Sequence, residues 1–306
     1  MPNATDRLSI VASAVSNDPR QAPARSRELG FSGLLFDAYS ASLDIPDLST
    51  TGRREFRNVL SAQDQQLVGL RWDTGPKGFG PGADVDQALS RLDRVMEAAA
   101  GLVAPLVTVD LGPLPEPPPA VKPKPRITPG VAGLILLPTS SDLAAVRKPE
   151  ATSPSLPPPD PSFVSQVDGA LTELGRRADR YGVTIAFRSE LASFSAVERA
   201  LKATACPWFG VELDPVSVLR DEWDVDEVFS RLGSFFRHVR ARDAVRGADR
   251  RTKPAVVGQG SVNWAELLSN LEAAGYAGWI TVDPTDLPDR TAAAVAARRH
   301  ISTQDI

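Results

Sequence analysis

The sequence predicts an α/β fold, a single (β/α)8 barrel with a proline-rich insertion after its fourth strand. Three observations lead there. Short β-rich runs alternate with stretches of helical period, which predicts parallel strands joined by crossover helices. Eight such pairs can be counted, and a chain of 306 residues is the length that eight pairs in one barrel need. A doubly wound sheet would more often use five or six strands.

The runs follow one another as "LSIVASAVS", "GLLFDAYS", "QLVGLRWD", "PLVTVDLG", "VTIAFRSE", "WFGVELDPV", "FRHVRARDA" and "GWITVDP". They place strands near residues 8–16, 33–38, 67–73, 105–111, 183–189, 209–214, 236–242 and 278–283. Between them apolar residues recur at three- and four-residue steps. Val85, Leu89, Leu92 and Met96 make one such stripe, and Trp264, Leu267, Leu268 and Leu271 another, each lying against the sheet. The domain spans residues 1–306, and residues 113–161 interrupt it. That segment holds 15 of the 27 prolines, which fix φ and remove backbone donors, so neither regular helix nor central strand fits it. It reads either as a solvated loop, since long insertions cost little closure entropy, or as a lid. The lid reading rests on position, because βα-loops of a barrel lie on the catalytic face, and on the apolar "GLILLP", which needs something to pack on.

Composition narrows the function. Hydrophobic residues make up 42% and charged residues 24%, ordinary for a globular protein with a sizeable core. A net charge of −4 without a run of five like charges gives no footprint for nucleic acid or an anionic membrane. No apolar run approaches the roughly 20 residues a bilayer span needs. The single Cys206 cannot form an intrachain disulfide, and the first residues lack a secretory layout, so a cytoplasmic protein is expected.

The last third, "RHVRARDAVRGADRRTKPAVVGQGSVNWAELLSNLEAAGYAGWITVDP", resembles the xylose isomerase-like TIM barrels of the sugar phosphate isomerase/epimerase family. The resemblance continues backwards through "GVELDPVS", "YGVTIAFRSE" and "LGFSGLLFD" and covers nearly the whole chain outside the insertion. It implies a divalent cation held by a glutamate ending strand five, an aspartate ending strand six, a histidine ending strand seven and a glutamate ending strand eight. The cation would polarise a carbonyl and its hydroxyl neighbour while the glutamates pass a proton. It also implies association into homo-oligomers, as in many members.

Here those four positions carry Arg188, Asp214, Arg240 and Asp283. His238 matches the first member of the family's His-x-His pair, and Arg240 the second, which is the ligand. Ser217 stands where a further histidine often lies, and Leu35 where strand two often has glutamate. Guanidinium has no acceptor lone pair and stays protonated, so Arg188 and Arg240 cannot ligate a cation. No metal and no other cofactor is therefore expected. With only His238 and His300 in the chain, the three-histidine zinc sites of the endonuclease branch are excluded.

Two arginines beside two carboxylates suit a carboxylate or phosphate, because guanidinium forks bind oxyanions bidentately. Glu190, Asp214, Asp283 and His238 are the catalytic candidates, with Glu190 on the same side of its strand as Arg188 and the best general base. Arg188, Arg240, Asp37, Asp73 and Asp110 are candidate substrate-binding residues. Other readings stand beside these: arginine and aspartate as mutual salt bridges, His238 as a buried structural histidine, Asp37 as a turn cap, Asp243 as a loop cap or partner of Arg242. Two functions follow. One is an isomerase or epimerase of a small hydroxy-carbonyl compound or anionic sugar derivative with a degraded metal site. The other is a non-catalytic relative that binds a small anion or a partner protein.

Overall fold

The computed structural model describes residues 7–117, 160–189 and 192–304. Eight parallel strands close into a barrel: β1 (Leu8–Val11), β2 (Gly33–Asp37), β3 (Gln66–Asp73), β4 (Leu106–Asp110), β5 (Thr184–Arg188), β6 (Phe209–Leu213), β7 (Phe236–Ala241) and, after a hairpin of β8 (Asp243–Arg246) and β9 (Thr252–Ala255), β10 (Ile280–Val282). Their order around the barrel is β1-β10-β7-β6-β5-β4-β3-β2. Among the described residues ten α-helices accompany them: α1 (Ala12–Val15), α2 (Ala22–Glu28), α3 (Thr50–Ser61), α4 (Val85–Leu102), α5 (Pro161–Tyr181), α6 (Phe194–Thr204), α7 (Pro215–Arg220), α8 (Val225–Leu232), α9 (Trp264–Ala273) and α10 (Arg290–Gln304).

Side chains of a strand alternate between its faces, and in this barrel the alternation separates two chemistries. One set is apolar and buried: Leu8, Ile10, Leu34, Phe36, Val107, Val109, Ile185, Phe187, Phe209, Val211, Val239 and Val282 among them. With the helix stripes it forms one continuous core, in which Leu89, Leu92, Val95 and Met96 of α4 and Trp264, Leu267 and Leu271 of α9 are buried. The other set is small or polar: Ser9, Thr108, Ala186, Glu212, His238 and Thr281, all buried. It continues at the strands' C-terminal ends into charge. Arg71 of β3 reaches Asp283 just after β10, although two other strands stand between them in the sheet, so this second set faces the lumen.

Two local features differ from the sequence expectation. β1 ends at Val11, and the rest of the apolar run predicted to extend it to residue 16 forms the helical turn α1. The hairpin β8–β9 was not expected. It is anchored by Asp243, whose buried carboxylate accepts from the amides of Ala244, Gly258, Gly260 and Val262 and from Trp264 Nε1 at 2.8–3.2 Å. Asp243 is thus a loop cap, and Arg242 pairs elsewhere. The proline-rich insertion leaves from the C-terminal end of β4 and returns at Asp160, which caps α5 by accepting from Ser162 N. Residues 118–159, and with them the lid reading, lie outside the described residues.

Candidate functional site

The barrel mouth is built from the last lumen-facing residue of each strand or the residue just past it. Asp283, with 0% of its side chain exposed, is the centre. Its Oδ2 accepts from Arg71 Nη1 at 2.8 Å and Arg240 Nε at 2.7 Å, with Arg240 Nη2 at 2.5 Å. Its Oδ1 accepts from the amide and hydroxyl of Thr285 at 3.1 and 2.6 Å. Burial acts to raise the Asp283 pKa, but the Arg240 and Arg71 guanidinium groups outweigh it and hold the carboxyl well below the usual range. The same pairing acts on Arg240: burial opposes its charge, Asp283, Asp214 and Glu212 favour it more strongly, and its pKa is raised.

From this centre the pairs run outward. Arg71 Nε donates to Asp37 Oδ1 at 2.7 Å, and Ser13 donates to Asp37 Oδ2 at 2.8 Å. Asp214, placed at the N-cap of α7, accepts from Val216 N at 3.1 Å with Oδ1 and pairs with Arg242 through Oδ2, while Arg240 Nη1 stands 3.9 Å away. Arg242 also donates to Asp286 at 3.1 Å. On the far side Arg188 donates from Nε to Asp110 at 3.0 Å and from Nη1 to Glu212 at 3.2 Å. Burial and the nearby Arg240 charge disfavour the Arg188 cation, but Glu212, Asp110 and Asp214 prevail and its pKa is raised.

Beneath the mouth, Glu212 Oε1 lies 2.7 Å from His238 Nδ1, His238 Nε2 lies 2.6 Å from Thr281 Oγ1, and Thr281 Oγ1 lies 2.7 Å from Ser9 Oγ. Burial raises the Glu212 pKa, and the His238 hydrogen bond together with nearby positive charge more than reverses this, so the carboxylate is ionised. An ionised carboxylate only accepts, so Nδ1 carries the proton. His238 is fully buried and spends both ring nitrogens inside the barrel, a placement that fits the structural reading rather than a base in contact with substrate.

Of the sequence candidates, Arg188, Asp214, Arg240, Asp283, Asp37 and Asp110 meet in this lattice. Asp73 does not. It is exposed, and its carboxylate accepts from Gly75 N at 2.7 Å, closing the turn after β3. Glu190 lies outside the described residues. Three members were missed: Arg242, which pairs with Asp214 just past β7, and two on the strands. Arg71 is two residues before Asp73, and Glu212 two before Asp214; the two-residue strand period applied inward from each carboxylate would have found both. Around the ring the signs alternate by strand: Asp37 on β2, Arg71 on β3, Asp110 on β4, Arg188 on β5, Glu212 on β6, Arg240 on β7, Asp283 after β10. Among the described residues, no three His, Cys, Asp or Glu side chains stand together as donors for a metal ion. A cavity of about 200 Å³ adjoins the lattice, lined among others by Arg220, Arg242, Asp283, Pro284 and Asp286.

A closed eight-strand parallel barrel with its ionised groups gathered at the strands' C-terminal ends defines a class, the (β/α)8 proteins whose sites lie at that mouth. More narrowly, the family described as "Xylose isomerase-like TIM barrel" matches residues 23–303, and the chain belongs to it. Similar solved structures include a xylose isomerase domain protein from Planctomyces limnophilus, at TM-score 0.68 and 14% identity over 91% of this chain and 90% of that one. A D-psicose 3-epimerase with D-tagatose from Clostridium cellulolyticum H10 gives 0.68 and 14% over 97% and 98%. A D-allulose 3-epimerase from Methylomonas sp. in complex with D-allulose gives 0.66 and 14% over 98% and 97%. At these identities the likeness speaks for the fold. No curated protein matches the chain in sequence. Among the described residues no helix is long and apolar enough to cross a membrane.

Proposed function

We propose that the barrel mouth binds a small hydroxy-carbonyl compound or anionic sugar derivative without a divalent cation, and that the metal-assisted proton transfer implied by the resemblance has been lost. One observation carries this: Arg240, only 9% exposed in its side chain, pairs with Asp283 and stands 3.9 Å from Asp214. A divalent cation does not fit the residues present. It needs oxygen or imidazole lone pairs, and the oxygens of Asp214 and Asp283 already accept from guanidinium groups, a hydroxyl and backbone amides. A guanidinium stays protonated, so it holds a ligand oxygen by hydrogen bonds and polarises it without exchanging a proton. The most deeply clamped carboxylate, Asp283, has its pKa pushed down, which makes it a poor general base.

A second reading, isomerisation or epimerisation without a metal, draws support from Asp37. Its carboxylate is 24% exposed at the rim, open to solvent where the clamped Asp283 is not. The experiment that separates these readings has two parts. Calorimetry of the metal-free protein with sugars, sugar acids and sugar phosphates, repeated in EDTA and in Mn²⁺, should give binding indifferent to metal. Proton NMR in D₂O should then detect no solvent exchange at ligand carbon. Exchange without metal would establish the second reading, and binding that depends on Mn²⁺ would overturn both.

A further inference from the structure

The cavity of about 200 Å³ beside the mouth lies outside the lumen. Side chains alternate along a strand, so Ala241 and Val282, which line the cavity, point to the other side of the barrel wall from Arg240 and Thr281. From there the cavity runs under the β8–β9 hairpin, past Ala244 and Ala255, to Ala293 and Ala297 of α10. Five of its wall residues are thus alanine, and their single methyl groups leave the space between hairpin, strands and helix. Ala241, Ala244, Ala293 and Ala297 are buried and form an apolar floor. The more exposed part of the wall is charged: Arg220 and Arg242, with 16% and 17% of their side chains exposed, and Asp286, with 52%.

Those charges are already matched. Arg242 pairs with Asp214 and, at 3.1 Å, with Asp286, and Arg220 donates from Nε and Nη2 to the two oxygens of Asp221 at 2.9 Å. Asp243 and Asp283, the other ionised groups of the wall, are taken by five N–H donors and by Arg71, Arg240 and Thr285. An ion of either sign would give up its hydration on entering and find each opposite charge among the described residues of the wall engaged. A hydroxyl or carbonyl group avoids that cost, because it accepts from a guanidinium N–H or donates to the half-exposed Asp286 while the existing pairs stand. Carbon laid on the alanine floor gains by leaving water. Size limits the body: an apolar cavity of about 150 Å³ holds benzene, so this one has room for a six-membered ring with one polar group.

We infer that this cavity is a ligand site separate from the mouth, and that it takes a small uncharged molecule whose carbon ring lies on the alanine floor and whose hydroxyl or carbonyl group meets Arg242 and Asp286. The inference stands independently of the mouth-binding reading. Its test is a titration of the intact protein, followed through amide chemical shifts by NMR at neutral pH, with benzyl alcohol, benzoate and benzylammonium, which share a shape and differ in charge. Benzyl alcohol should shift the amides of Ala244, Ala255, Leu287 and Ala297 and bind about tenfold or more tightly than either ion. Ala297→Leu, which fills the floor, and Ala255→Leu, which fills the wall at the half-buried hairpin, should each weaken that binding about tenfold or more. Where Ala297→Leu fails to fold, Ala255→Leu decides alone. Binding of either ion as tight as that of the alcohol would overturn the uncharged-ligand inference. Shifts confined to other residues, no binding of the alcohol, or binding that survives the substitutions would overturn the site itself.

Discussion

Asp283→Asn is the substitution the mouth should tolerate least. Asn has the volume of Asp but offers one acceptor oxygen and one N–H₂ where the native residue has two acceptors. Oδ2 of Asp283 faces the Arg71 and Arg240 guanidinium groups, and Oδ1 faces the amide and hydroxyl of Thr285. Either orientation of the amide therefore points donors at donors, and the buried Arg240 and half-buried Arg71 lose their shared anion. Breaking a buried pair by removing one partner costs about 3–5 kcal/mol, a large part of the roughly 5–15 kcal/mol that separates folded from unfolded domains. At a urea slope of about 3 kcal/mol/M the midpoint should fall by on the order of 1 M with the slope unchanged. Asp37→Asn is the control. It also accepts from Arg71, but it sits at the rim, and Arg71 would keep Asp283, so a loss of about 1 kcal/mol or less is expected. A stability loss of about 1 kcal/mol or less for Asp283→Asn, or equal losses for the two variants, would refute the view that Asp283 anchors the lattice.

The remaining predictions are independent of ligand identity. Because the folded pKa of Asp283 lies below its unfolded value of about 3.9, its contribution is complete above that value and is lost as pH falls through the folded pKa. The urea midpoint of the native protein should therefore drop steeply below about pH 4, more steeply than that of Asp283→Asn; parallel acid limbs would contradict this. Combining Arg188→Glu with Arg240→His removes two positive charges and adds a carboxylate and an imidazole beside Asp214 and Asp283. That double variant should be stabilised by Mn²⁺ in a thermal-shift assay where the native protein is not, and no response in the variant would count against the loss of a cation site. Asp243→Asn should weaken the acceptor of five hydrogen bonds by roughly 2–3 kcal/mol, read as faster hydrogen exchange at the amides of Gly258, Gly260 and Val262. Unchanged exchange there would mean the hairpin is held by something else.

What could be read in advance followed from period and spacing, and what could not followed from three-dimensional offset. Eight runs with crossover helices point to closure because a doubly wound sheet more often uses five or six. The end of β1 was hidden because "LSIVASAVS" stays apolar through residue 15, so hydrophobicity alone cannot tell strand from the helical turn of Ala12–Val15. The β8–β9 hairpin was hidden because β9 contains Pro254 and is largely exposed, carrying no strand pattern, while its turn places Asp249 and Arg250 at positive φ without glycine. In the site, spacing points to Asp73, the last acidic residue of β3, while the mouth-level residue is Arg71, two positions earlier. Strands of a barrel are staggered, and Asp37 stands in register with Arg71, not Asp73.

The alternation of sign from strand to strand explains why this arrangement can be buried at all. Adjacent parallel strands lie about 4.8 Å apart, so an ionised group at the mouth has its nearest charged neighbours on the strands to either side. With Asp37, Arg71, Asp110, Arg188, Glu212, Arg240 and Asp283 taken in ring order, each interior member stands between two of opposite sign. Seven charges in alternation cannot close a ring: the first and last, Asp37 and Asp283, are both negative and face each other across β1. There the strand is followed by Ser13, which is neutral and donates to Asp37. Arg71 completes the compensation by reaching past β2 and β1, with one nitrogen on Asp37 and another on Asp283. A cation-binding mouth needs the reverse pattern, acceptors on neighbouring strands turned toward a common point. Arg188 and Arg240 separate the carboxylates of β4, β6 and β10 from one another, and they supply the positive charge those carboxylates would otherwise lack.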